Sequence, residues 1–180
     1  MSYEAGAAVA MTEEDLLLEW LSYPGITSTQ IEQLRAAGVP PRTWIAAGEI
    51  TAPRIRSIGR VYMPDPFGER AFCLRVVDGR PPSPDYCVLD PLVDLLAFRL
   101  EAPATWWLRR GGWGLALSKH LLIDALLDGI PVRLVPNPLE WLRAGCAAAC
   151  PLDLAANYRV AGRTVQADPA MPAPTEREAV

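Results

Sequence analysis

The sequence is nearly devoid of lysine and histidine. Lys119 is the only lysine beside sixteen arginines, and His120 is the only histidine. One histidine excludes a metal centre built on a histidine cluster. Long apolar runs are missing too: no stretch reaches the roughly 18 apolar residues that a membrane-spanning helix requires. The first residues, MSYEAGAAVAM, have neither the cationic start nor the apolar core of a secretion signal. A cytoplasmic protein without a membrane partner is therefore expected.

Catalytic signatures are equally scarce. There is no Gly-Lys-Ser/Thr phosphate loop, no complete Gly-x-Gly-x-x-Gly, and no Gly-x-Ser-x-Gly elbow around Ser118. The cysteines, Cys73, Cys87, Cys146 and Cys150, do not fall into tight Cys-x2-Cys pairs. Only Cys146 and Cys150 are close, at a spacing that would put both on one helical face. In a reducing compartment these thiols read as small core residues, and no metal or other cofactor is expected.

What is present is a chain of 180 residues, 51% apolar, enough for a substantial core without staples. Net charge is −4, so no global field draws the chain to nucleic acid or anionic lipid. Any anion binding must be local. Arginine suits that role because its planar fork matches phosphate and carboxylate, although a coding bias accounts for the arginine excess as simply.

The N-terminal third reads as helical. Thr12 with Asp15, and Thr27 with Gln30, have capping-box spacing, and predict helices over about 13–22 and from Thr27 to Gly38. Short helical pieces are expected at Arg42–Ala47 and between Thr51 and Gly59. From Arg60 the texture changes. Val61–Met63, Ala71–Val77, Val93–Leu100 and Thr105–Arg109 read as strands of a small antiparallel meander. Within the last of these, Trp106 and Leu108 should share one face and Trp107 and Arg109 the other. A helix is expected over Leu115–Leu127, a strand over Ile130–Val135, and a short helix from Pro138 capped by Asn137. A hairpin is expected over Tyr158–Val165. The expected class is α+β: a short helical module over 1–59, a small antiparallel sheet with packed helices over 60–165, and a disordered tail over 166–180.

The chemistry-bearing candidates are few. Arg42, Arg54, Arg56 and Arg60 form a basic stretch that contrasts with the acidic residues 1–22. Arg109, Arg110 and Trp113 flank Gly111-Gly112 at a strand–helix junction, a composition able to combine phosphate contacts with stacking. Asp90, Asp94 and Glu101 are the only closely spaced carboxylates that would serve hydrolysis or phosphoryl transfer, provided they converge. Asp94 is expected to point outward from its strand, and His120 to lie near the exposed edge of its helix.

Two resemblances add to this. EEDLLLEWLSYPGITSTQIEQLRAAGV, with Pro24, Gly25 and Ile26 in its turn and Leu34, Ala37, Gly38 and Val39 at its end, resembles a helix-hairpin-helix element. That resemblance implies phosphate contact through backbone N–H groups at the turn. Thr27 replaces the second glycine usual in that turn. The run VDLLAF…WWLRRG…VRLVPNPLEWLRAG is similar to uncharacterised proteins of bacterial phage and prophage regions, which implies a setting of mobile-element DNA metabolism. The leading expectation is a non-enzymatic accessory or binding protein that contacts nucleic acid. A protein–protein interaction module and a small enzyme using Asp90, Asp94 and Glu101 are the alternatives, so DNA and another protein are the partner classes left open.

Overall fold

The computed structural model describes residues 11–43, 50–78, 91–110, 116–129 and 131–152. The expected helical piece at 44–47, the Pro-rich loop after Gly79, Asp90, the Gly111–Gly114 run with Trp113, and everything beyond 152 lie outside those residues.

Two reciprocally capped helices open the chain. In α1 (Glu13–Ser22) the Thr12 hydroxyl accepts the Asp15 amide at 3.1 Å, and the Asp15 carboxylate accepts the Thr12 amide at 2.8 Å. In α2 (Ser28–Ala36) Thr27 and Gln30 repeat the arrangement at 3.3 and 2.9 Å. Gly38, at φ +84°, lets the chain leave α2 through the left-handed region.

Six strands follow: β1 (Arg54–Ile58), β2 (Val61–Pro64), β3 (Glu69–Arg70), β4 (Phe72–Val77), β5 (Leu92–Phe98) and β6 (Trp106–Leu108). They are ordered β3-β1-β2-β6-β5-β4. This corrects two expectations. Residues 54–58 are a strand, not a helical turn, because Ile55 points inward between exposed Arg54 and Arg56 and the backbone finds partners in both β2 and β3. The sheet is mixed rather than a pure antiparallel meander, because β2 and β6 run parallel where Val61 meets Leu108.

The ends of the sheet meet. Thr51 exchanges backbone hydrogen bonds with Cys73 at 3.2 and 2.8 Å, and the Ala71 amide donates to the Pro53 carbonyl at 3.1 Å. These contacts continue the register that pairs Arg54 with Arg70 and Ile55 with Glu69. β3 and β4 are therefore one extended segment bent at Ala71, joined to β1 on one side and to β5 on the other. The result is a small closed barrel.

Its interior draws on every wall. Ile55, Tyr62, Cys73, Leu95, Ala97 and Trp107 form one buried cluster, with Leu16 and Trp20 of α1 packed onto it. Outside, Phe72, Leu74, Val76, Leu96, Phe98 and Leu108 pack against Leu34 of α2 and a C-terminal layer containing Leu139, Trp141 and Leu142. β5 is buried on both faces, which is why Leu95–Phe98 reads as an unbroken apolar run rather than an alternating one. Each fully buried Leu or Phe here is worth about 1.5–3 kcal/mol over exposure. Trp106 and Leu108 do face one side and Trp107 the other, as the alternation predicts.

The C-terminal layer holds a two-stranded ladder, β7 (Ala116–Leu117) with β8 (Cys150–Pro151), and two helices, α3 (Lys119–Asp128) and α4 (Pro138–Arg143). The Asn137 side chain caps α4 by accepting the Glu140 amide at 3.0 Å. α3 begins later than its periodicity suggests, because Leu117 is spent on the ladder and Ser118 turns the chain at φ +53°. Within its described part, 131–135, the expected strand over 130–135 reduces to a single bridge between Leu134 and Ala149. Cys146, at φ +62°, lies past the end of α4, so it shares no helical face with Cys150 of β8.

Candidate functional site

Among the described residues, the C-terminal layer covers the outer wall of β4, β5 and β6 only. On β1 and β2 the same wall carries Arg54, Arg56, Ile58 and Met63, all exposed. Register fixes their company: Arg56 stands opposite Met63, and Arg54 stands opposite Arg70 of β3. Residues directly opposite in a ladder share a face. Arg60 is exposed in the β1–β2 turn.

The link from β2 to β3 is a tight turn. The Asp65 carboxylate accepts the Phe67 amide at 2.9 Å, and the Gly68 amide donates to the Asp65 carbonyl at 2.9 Å. Gly68 is required there, since any Cβ would overlap the Ile55 carbonyl. Its own carbonyl accepts the Arg54 guanidinium at 2.8 Å. Phe67 is left at the tip, 93% exposed. The Phe67 amide and, after it, the Arg56 guanidinium at 2.5 Å hold the Asp65 carboxyl below its usual range.

Two concavities flank β3. One, of about 490 Å³, is lined by Arg56, Asp65, Phe67, Glu69, Arg99 and Trp107, among others. The other, of about 400 Å³, lies between the N-terminal turn of α2, with Thr27, Thr29 and Gln30, and Arg70, Arg99 and Glu101. Arg99 borders both, stacked 5.4 Å from the centroid of the Trp107 ring and paired with Glu69. From Arg54 to Arg70 the chain has four arginines against Asp65 and Glu69, a local excess of positive charge in a protein of net charge −4.

Of the arginines singled out from sequence, Arg54, Arg56 and Arg60 come together on this hairpin. Arg42 is exposed after α2 and lies on none of these strands. Arg109 turns inward: its guanidinium Nε lies 2.7 and 3.0 Å from the two Glu19 carboxylate oxygens. Arg110 is half-buried, and its amide is committed to Asp94.

Of the candidate carboxylates, the two that are described, Asp94 and Glu101, do not converge. Asp94 is completely buried, contrary to the outward orientation expected. Its Oδ1 accepts the amides of Leu95, Arg109 and Arg110 at 2.8, 3.0 and 2.9 Å, so the carboxylate pins the start of β5 to the end of β6. Burial nevertheless pushes its carboxyl up from the ordinary value. Glu101 lies beyond the other end of β5, on the order of 20 Å away along extended chain. Among the described residues no group of three His, Cys, Asp or Glu side chains is placed to hold a metal ion. His120, in the first turn of α3, is half-buried.

A polar chain runs inside the barrel. Arg109 pairs with Glu19, which accepts the Tyr23 hydroxyl. Tyr23 meets the Tyr62 hydroxyl at 3.3 Å, and Tyr62 meets the Cys73 thiol at 3.4 Å. Burial pushes both phenols up and the Cys73 thiol to about 12. The two phenols and the thiol therefore stay protonated near neutral pH, and the chain fastens α1 to the barrel.

Phe67, Arg70 and Arg99 escape sequence reasoning as members of this surface. The signal that marks Phe67 is Pro64-Asp65-Pro66-Phe67-Gly68, a rigid turn that spends an aromatic residue at its tip. No family model, no curated protein and no solved structure matches the chain. Among the described residues no helix is long and apolar enough to cross a membrane.

Proposed function

We propose that the protein is a non-enzymatic nucleic-acid-binding accessory factor that holds a single strand against the β1–β2–β3 wall. The observation that carries this reading is the Arg54–Arg70 cross-strand pair, with Arg56 beside it and Phe67 at the adjoining tip. Guanidinium groups along a shallow groove track a phosphate backbone, and exposed aromatic faces stack bases without regard to sequence. The two concavities beside β3 offer a path from Phe67 and Trp107, past Arg99, to the N-terminal turn of α2. That turn is the part of the helix-hairpin-helix resemblance that would meet a phosphate. A place in mobile-element DNA metabolism rests on the likeness to phage-region proteins alone.

The enzymatic alternative has the least support, since Asp94 is spent on three backbone amides and Glu101 lies at the other end of its strand. A purely protein-binding role remains the second reading, because Ile58, Met63 and Phe67 give the wall apolar as well as basic character. Titration of a fluorescent single-stranded oligonucleotide separates the two. Binding should weaken steeply with salt and should be lost in an Arg54→Ala/Arg56→Ala variant. No binding at low salt removes the nucleic-acid reading.

A further inference from the structure

We propose that a second copy of this chain docks the outer face of its α1 onto the basic β1–β2 wall, giving a head-to-tail assembly. Two surfaces carry the argument: the large apolar side chains of each stand exposed, and the wall keeps a basic excess after the ion pair of Arg56 with Asp65. α1 buries Leu16 and Trp20 in the barrel, yet Leu18 and Leu21 on its far side are 59% and 70% exposed, with Leu17 beside them. A surface helix of a monomer has one apolar stripe, and this one has two. The second stripe follows an acidic first turn, Glu13, Glu14 and Asp15, and no basic residue occurs from Met11 to Leu34.

The β1–β2 wall is the counterpart. Ile58 and Met63 are exposed large apolar residues set among Arg54, Arg56 and Arg60. Apolar matches apolar and acid matches base, which suppresses helix-to-helix and wall-to-wall pairing through like charge. Within one molecule the contact is impossible, because α1 lies against the barrel through Leu16 and Trp20 and turns its second stripe away from it. The contact is therefore heterologous, and it leaves one free surface of each kind at the ends of any open assembly.

This inference is independent of nucleic-acid binding, although the two compete for Arg54 and Arg56. Sedimentation of the full chain without nucleic acid is the test. The wild type should show a mass that rises with concentration and falls with salt. Leu18→Glu/Leu21→Glu should sediment as a monomer, and so should Arg54→Glu/Arg56→Glu, with circular dichroism confirming that both fold. Mixed in equal amounts, the two variants should form a one-to-one dimer, since one retains an intact wall and the other an intact helix. A monomeric wild type at low salt overturns the proposal. So does persistent association of the helix variant, or a mixture that stays monomeric.

Discussion

Arg54 and Arg70 face each other directly across the β1–β3 ladder, both exposed. Like charges in that position oppose the pairing they sit on. Arg54 donates to the Gly68 carbonyl, which orients its guanidinium without neutralising it.

Replacing Arg70 with Gln should therefore raise stability slightly, by at most about 0.5 kcal/mol at low salt, with the gain vanishing as salt screens the pair. The same variant should bind a single-stranded oligonucleotide more weakly and lower the slope of log affinity against log salt by about one. Stability and binding moving in opposite directions mark a surface kept for an anion. A variant that loses stability and keeps its affinity contradicts this.

Arg109 makes the opposite prediction. Its pairing with Glu19 leaves the two side chains only 18% and 15% exposed. Arg109→Ala strands a carboxylate in a poor environment and should cost about 2–3 kcal/mol, somewhat less than a fully buried pair. Oligonucleotide affinity, measured where the variant is fully folded, should not change. Urea unfolding combined with the binding titration reads both quantities.

Asp94 should be the most consequential carboxylate for folding. Asp94→Ala abandons three amides, one buried and two partly buried, and should lower stability by about 3 kcal/mol. Asp94→Asn keeps an acceptor and tests the charge. Because burial raises the folded carboxyl above the unfolded value of about 3.9, the folded state holds the proton more tightly. The contribution of this group is thus fully present below the unfolded value and is lost as pH rises through the folded one. The stability of Asp94→Asn relative to wild type should accordingly improve from acid toward neutral pH. A constant difference across that range removes the charge argument.

The thiols offer a check on the barrel. Cys73 and Cys146 are buried and pushed up to about 12, and Cys150 is raised further by burial. In a Cys87→Ser background, labelling by a thiol reagent should be limited by unfolding, with all three sites protected together. Fast labelling of Cys73 in native buffer contradicts the closed interior.

How legible the fold is depends on distance along the chain. Thr12, Thr27 and Asn137 announce their helices because a cap and its partner lie three residues apart. The strand at 54–58 is hidden because Thr51, Pro53 and Gly59 mimic helix punctuation, and its ladder partners lie beyond the local window. Asp94 is misread because alternation speaks of faces, whereas two of the amides it binds belong to Arg109 and Arg110, just past the end of β6. Arg109 looks available in sequence because its partner Glu19 is ninety residues away. Arg54, Arg56 and Arg60 are recoverable because a two-residue alternation and a tight turn keep them together. Arg70 and Arg99 join them only once the sheet has closed.

That closure has a bearing on solubility. A twisted sheet that stops short presents two rows of unpaired backbone groups, each a template for another chain. Here the first and last strands are one bent segment, and the Thr51–Cys73 pairing spends those groups on each other. β6 accompanies β2 only at Val61, and Pro64, which ends β2 three residues later, has no N–H to offer a recruit. Rupture of the Thr51–Cys73 seam would free both rows at once, the kind of template on which cross-β pairing starts.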